Sequence, residues 1–146
     1  MSGARKTEDE YRQLMRETGR YDLDGRSGQE LREFNRLYKR LDDLYHSLSL
    51  KMGMSDSTFM ILYTIAELGD GCSQKEICGQ ASVSKQTINS SIRKLEKGGI
   101  IRLEKGNRGR ELHIRLTETG KQTMREKIYP IMEAEDRAFI HMAAEE

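Results

Sequence analysis

A mainly helical chain carrying one small β-hairpin is what this 146-residue sequence predicts. Three observations lead there. Apolar residues recur at three- and four-residue steps through most of the chain, the spacing of one helical face. Two helix-start signals, at Ser73 and Ser84, follow each other closely, leaving room only for a short helix and a turn. A strictly alternating segment, Leu112 to Leu116, then follows a turn rich in Gly and Asn.

Taken in order, residues 1–28 form an N-terminal extension to which the pattern assigns no definite fold beyond a short helix over residues 7–18. Gly19, Gly25 and Gly28 are expected to break anything longer. In residues 29–53, Leu31, Phe34, Leu37, Tyr38, Leu41, Leu44, Tyr45, Leu48 and Met52 make a wide apolar stripe ending at Gly53. Ordinary core packing is one reading. A stripe running this far on so small a chain fits packing against a partner helix better, so this segment is read as a dimerisation helix. Ser55 caps the next helix, lined by Phe59, Leu62, Ile65, Ala66 and Leu68 and closed by Gly69-Asp70-Gly71.

Ser73 and Glu76 have the spacing of a capping box, with Cys72 and Ile77 as a hydrophobic staple. That helix should end near Ala81. Ser84 caps another, in which Ile88, Ile92 and Leu95 form one face and Gly98-Gly99 the stop. Residues 100–104 and 112–116 are the two strands, joined by the basic turn Lys105-Gly106-Asn107-Arg108-Gly109-Arg110. Thr117 caps the final helical region, residues 117–146, and Pro130 should kink or restart it. Two short helices followed by such a hairpin make residues 54–116 a winged helix-turn-helix. The full expectation is a mainly α chain with a small β-hairpin wing and N- and C-terminal dimerisation helices.

The helix after Ser84 has an unusual outer face. It carries Gln86, Thr87, Asn89, Ser90, Arg93, Lys94 and Lys97, with no carboxylate between Lys85 and Leu95. An ordinary solvated face mixes Glu with Lys in pairs. Amides and small hydroxyls meet base edges, and Arg forks onto guanine. The face alone is as compatible with a plain polar surface as with base reading. The closely spaced helix starts, and the cations Lys105, Arg108 and Arg110 on the hairpin tip, favour a nucleic-acid surface. Charge agrees. Between Cys72 and Arg115 ten Lys/Arg stand against four Glu, while the rest of the chain holds 15 basic and 20 acidic residues.

Ser84-Lys85-Gln86-Thr87, Leu95-Glu96-Lys97-Gly98-Gly99, the arginine-rich wing and Leu116-Thr117-Glu118-Thr119-Gly120 together resemble the MarR family of bacterial transcription regulators, over about residues 29–138. The resemblance implies a homodimeric repressor on a pseudo-palindromic operator in double-stranded DNA, released by a small-molecule effector or an oxidant. It sets residues 84–94 in the place of the recognition helix and Arg110 in that of the wing arginine. One departure is plain: Arg108 stands where the family usually has an Asp two residues before that arginine. The DNA-binding set is therefore Ser84, Lys85, Gln86, Thr87, Asn89, Ser90, Arg93, Lys94, Arg108 and Arg110. Tyr45 and Tyr63 either line an effector pocket, as the resemblance suggests, or pack with their hydroxyls at an edge.

Other classes find little support. There is no phosphate-cradling loop, no C-x-x-C and no H-E-x-x-H, so no cofactor, metal site or catalytic set is expected. No apolar run approaches a membrane span, and the polar N-terminus does not read as a signal peptide, which points to the cytoplasm. Cys72 and Cys78 read as free reduced thiols. The alternative is a redox switch, for which Cys72, near a helix N-terminus, is the better placed. A winged helix that docks proteins instead of DNA is the competing functional class. It would need aromatics on the face after Ser84, and none is there.

Overall fold

Local capping sets the helix boundaries. The computed structural model describes residues 7–18, 26–107 and 109–144. Within them run α1 (Glu8–Thr18), α2 (Arg26–Lys51), α3 (Asp56–Leu68), α4 (Gln74–Gln80) and α5 (Lys85–Lys97), then β1 (Ile101–Lys105) and β2 (Leu112–Leu116). They are followed by α6 (Glu118–Thr123), a wide π turn (Met124–Ile128) and α7 (Tyr129–Ala143). The mainly helical winged fold read from the sequence is the fold observed. The chain divides into two units, residues 1–47 and 48–146.

In the first unit, α2 begins at Arg26, so Gly28 lies inside its first turn and does not break it. A helix's first N–H groups have no intrahelical partner in any case, which makes a glycine there cheaper than in mid-helix. Leu31, Phe34, Leu37, Tyr38, Leu41 and Leu44 are each at least 50% exposed. Phe34 and Tyr38 stack with ring centroids 6.3 Å apart.

The second unit holds the core. Phe59, Ile61, Leu62 and Ile65 of α3 are buried with Ile77 of α4, Ile88, Ile92 and Leu95 of α5, and Met124 and Ile128 of the π turn. Ser55, Ser73, Ser84 and Thr117 each accept a hydrogen bond from a first-turn N–H of the helix they precede. At Ser73 the box is reciprocal, since the Glu76 carboxylate takes the Ser73 N–H at 2.7 Å. That bond holds the Glu76 carboxyl below its ordinary pKa. Pro130 falls at the start of α7, and the restart expected there takes the form of the π turn just upstream. Tyr129 N–H closes that turn onto the Met124 carbonyl.

The hairpin pairs Ile101 with Leu116 through Lys105 with Leu112. It also has a third edge, missing from the sequence reading. Gly71 N–H donates to the Ile114 carbonyl and Ile114 N–H to the Cys72 carbonyl, both at 2.8 Å. Leu116 N–H donates to the Asp70 carboxylate at 2.8 Å. Residues 70–73 thus run along β2 and bond to it, with an isolated bridge from Ser73 to His113. On the outer face, Glu104 takes Arg102 Nε at 3.1 Å and Arg115 Nε at 3.2 Å, and its pKa is lowered accordingly. These exposed pairs set geometry more than stability.

Thr117 joins the hairpin to α6. Its hydroxyl lies 2.6 Å from the Gly99 carbonyl and 3.1 Å from that of Ile100, and it also caps Gly120 N–H at 3.0 Å. The buried Gly120 packs so closely that a Cβ there would sit 2.0 Å from the Ile100 carbonyl oxygen. The Leu-Thr-Glu-Thr-Gly run is therefore a clasp between the end of α5 and the start of α6.

The redox alternative at Cys72 gains no support from its surroundings. Cys72 is buried. Burial first, then the nearby Glu76 carboxylate, raises its thiol pKa to about 11. The helix start next to it does not activate it, because a thiolate there would be desolvated and face a carboxylate. Two outcomes follow. Gly120→Ala should destabilise the fold by about 1–3 kcal/mol in urea denaturation, the cost of overpacking against backbone. In the native protein near pH 8, iodoacetamide should label the half-exposed Cys78 first. Cys72, buried and with its thiol pKa raised, should react much more slowly.

Candidate nucleic-acid interface

The orientation of α5 follows from its apolar spacing. Ile88 is 0% and Ile92 1% exposed, and with Leu95 they bury one side of the helix. Ser91, also buried, donates to the Ser57 hydroxyl of α3 at 3.1 Å, so the inner face has no unsatisfied polar atom. The opposite side must then face solvent. Gln86, Asn89, Ser90, Arg93, Lys94 and Lys97 line one shallow groove along it.

Within that set the polar groups are not equally free. The Ser84 hydroxyl caps Thr87 N–H at 3.2 Å and lies 2.8 Å from the Thr87 hydroxyl. Both are committed to the helix start. The Asn89 side chain is half-buried, and its Oδ1 accepts a hydrogen bond from Gln74 Nε2 of α4. Gln86, Ser90, Arg93 and Lys94 are exposed.

A second groove joins the helix-turn-helix to the wing. Gln74, Lys75 and Cys78 of α4, Lys85 of α5, and Arg110, Glu111 and Leu112 of the hairpin all line it. The wing arginine and the first residue of α5 therefore share one surface, with three cations against one carboxylate. Such a surface suits phosphates, which Lys and Arg neutralise at little desolvation cost when exposed. Arg108 lies outside the described residues. The wing is braced instead at its root, through Glu104 with Arg102 and Arg115 and through Asp70 with β2.

Gln74, Lys75 and Lys97 belong to these grooves and were absent from the expected set. Lys97 shares the α5 face already recognised, so its spacing was signal enough. Gln74 and Lys75 occupy the first turn of α4, where only the fold brings them to α5. Tyr63 of α3 donates its hydroxyl to the Glu135 carboxylate of α7, and its ring lies 6.0 Å from that of Phe59. Tyr45 belongs to the other unit. Among the described residues no group of His, Cys, Asp and Glu could hold a metal ion. No described helix is long and apolar enough to cross a membrane.

The MarR family model matches residues 52–111, the span of α3, α4, α5, β1 and the wing tip. A MarR family regulator from Neisseria meningitidis shares 25% identity and a TM-score of 0.63, over 77% of this chain and 79% of its own. AbsC, a MarR family transcriptional regulator from Streptomyces coelicolor, superposes with a TM-score of 0.67 at 22% identity, over 81% of this chain and 82% of its own. MarR from Staphylococcus aureus, in complex with salicylate and kanamycin, has a TM-score of 0.61 at 17% identity, over 79% of this chain and 77% of its own. No curated protein sequence matches this one. The match to the MarR family model thus covers residues 52–111, and the fold is the one seen in solved MarR family transcription regulators.

Proposed function

We propose that this chain is a sequence-specific regulator that binds double-stranded DNA as a homodimer and represses transcription until a small-molecule effector releases it. The observation that carries this reading is the shared groove of Lys85 and Arg110, beside an α5 face without a carboxylate. One recognition helix would enter the major groove, where Gln86, Asn89 and Ser90 meet base edges. Arg93, Lys94, Lys75 and Arg110 would neutralise phosphates, with the wing along the neighbouring minor groove.

Dimerisation is supported by the exposed apolar side of α2 and, separately, by Phe139, Ile140 and Met142 of α7, each at least 64% exposed. Apolar surface on that scale needs a partner in water. Two copies would set their recognition helices about 34–36 Å apart, one DNA turn. Effector release is supported by the fold shared with a relative that holds salicylate; within the second unit Tyr63 is the proposed contact. Release by an oxidant loses its better thiol, since Cys72 is buried and its pKa raised. Localisation in the cytoplasm, and the absence of enzymatic chemistry, are parts of the same proposal.

Selection of duplexes from a random pool, followed by binding titrations over a range of salt, tests it. Arg93→Ala and Arg110→Ala should weaken binding to all sequences and flatten the salt slope by about one ion each. Gln86→Ala should also relax preference at one base pair by about 1–3 kcal/mol. Affinity independent of salt would contradict the reading.

A further inference from the structure

One contact in the helix-turn-helix does nothing evident for the core. Gln74, the first residue of α4, reaches across to Asn89 on the outer side of α5, and its Nε2 donates to Asn89 Oδ1. Both side chains are half-buried. Which way an amide points is decided by its hydrogen-bond network. Here the surroundings supply the reason: Gln74 lines the groove that holds Lys75, Lys85 and Arg110. Those cations favour its carbonyl oxygen on their side and leave its NH2 for Asn89.

The consequence falls on Asn89. A free asparagine reads adenine with both ends, its oxygen accepting from N6 and its nitrogen donating to N7. With Oδ1 engaged by Gln74, the group left facing outward is the NH2. We propose that Gln74 is a positioning residue that turns Asn89 into a donor-only reader, matched to a base edge made of acceptors, guanine O6 and N7 first. This rests on the reading of α5 as the base-contacting helix. The pair spans two helices, so it also fixes α5 against α4 where the bases are read.

Replacing the donor by an acceptor should invert the preference. In Gln74→Glu the introduced carboxylate can only accept, so Asn89 must turn its NH2 inward and its oxygen out. The substitution suits the first turn of α4, where negative charge is favoured, and should leave the fold intact by circular dichroism. Full-length wild type, Gln74→Glu, Gln74→Ala and Asn89→Ala are each used to select from a random duplex pool. Their affinities are then measured for all four base pairs at the position whose preference Asn89→Ala erases. Wild type should favour guanine there by about tenfold. Gln74→Glu should move the preference to adenine or cytosine at that position alone, on top of a uniform loss from the added charge. Gln74→Ala should weaken the preference there and nowhere else. A wild-type motif that Gln74→Glu leaves unchanged, or relaxes equally at every position, overturns the proposal while sparing the DNA-binding reading. A wild type that enriches no motif overturns both.

Discussion

Burial of Ile88, Ile92 and Leu95 in the core that α3 anchors is the constraint on which the interface depends. Each removed isoleucine or leucine side chain contributes roughly 1.5–3 kcal/mol. Rotating α5 to hide its polar face would lose most of that and bury cations as well. The helix therefore has one orientation, and Gln86, Ser90, Arg93 and Lys94 point outward because three apolar residues point in. Chemistry on the outer face can change freely so long as the inner spacing stays.

The wing needs a second constraint, since a two-stranded hairpin is marginal by itself in water. Residues 70–73 supply it by pairing with β2, and Asp70 extends the pairing with its carboxylate. At the other end Thr117 and Gly120 clasp α6 to the turn after α5. The hairpin is thus held from both sides at its base while its tip, with Arg110, extends toward α4 and the start of α5. Where the resembling family has an acidic residue in the tip, this chain has Arg108, and bracing at the root fits a tip left fully basic.

Much of this was legible because it is local. Ser55, Ser73, Ser84 and Thr117 mark helix starts through bonds within three residues, and alternation from Leu112 to Leu116 marks a strand. What the sequence hid is non-local or depends on burial. The pairing of residues 71–73 with β2 was hidden because its partner lies some forty residues on. The Gln74–Asn89 bond joins two helices and has no pattern of its own. Cys72 shows a local rule losing outright: a helix start favours a thiolate, but desolvation and the Glu76 carboxylate outweigh it. Gly28 shows the reverse error, a helix breaker read as decisive where the first turn tolerates it.

The central proposal is spatial: α5's outer face, the first turn of α4 and the wing line neighbouring grooves that would hold DNA. Backbone amide spectra recorded while a selected duplex is titrated into the labelled protein test it most directly. The account predicts shifts concentrated in residues 74–75, 84–97 and 105–112, with the core of α3 and the body of α7 little changed. Shifts centred on α2 or α7, with α5 and the wing silent, would contradict it.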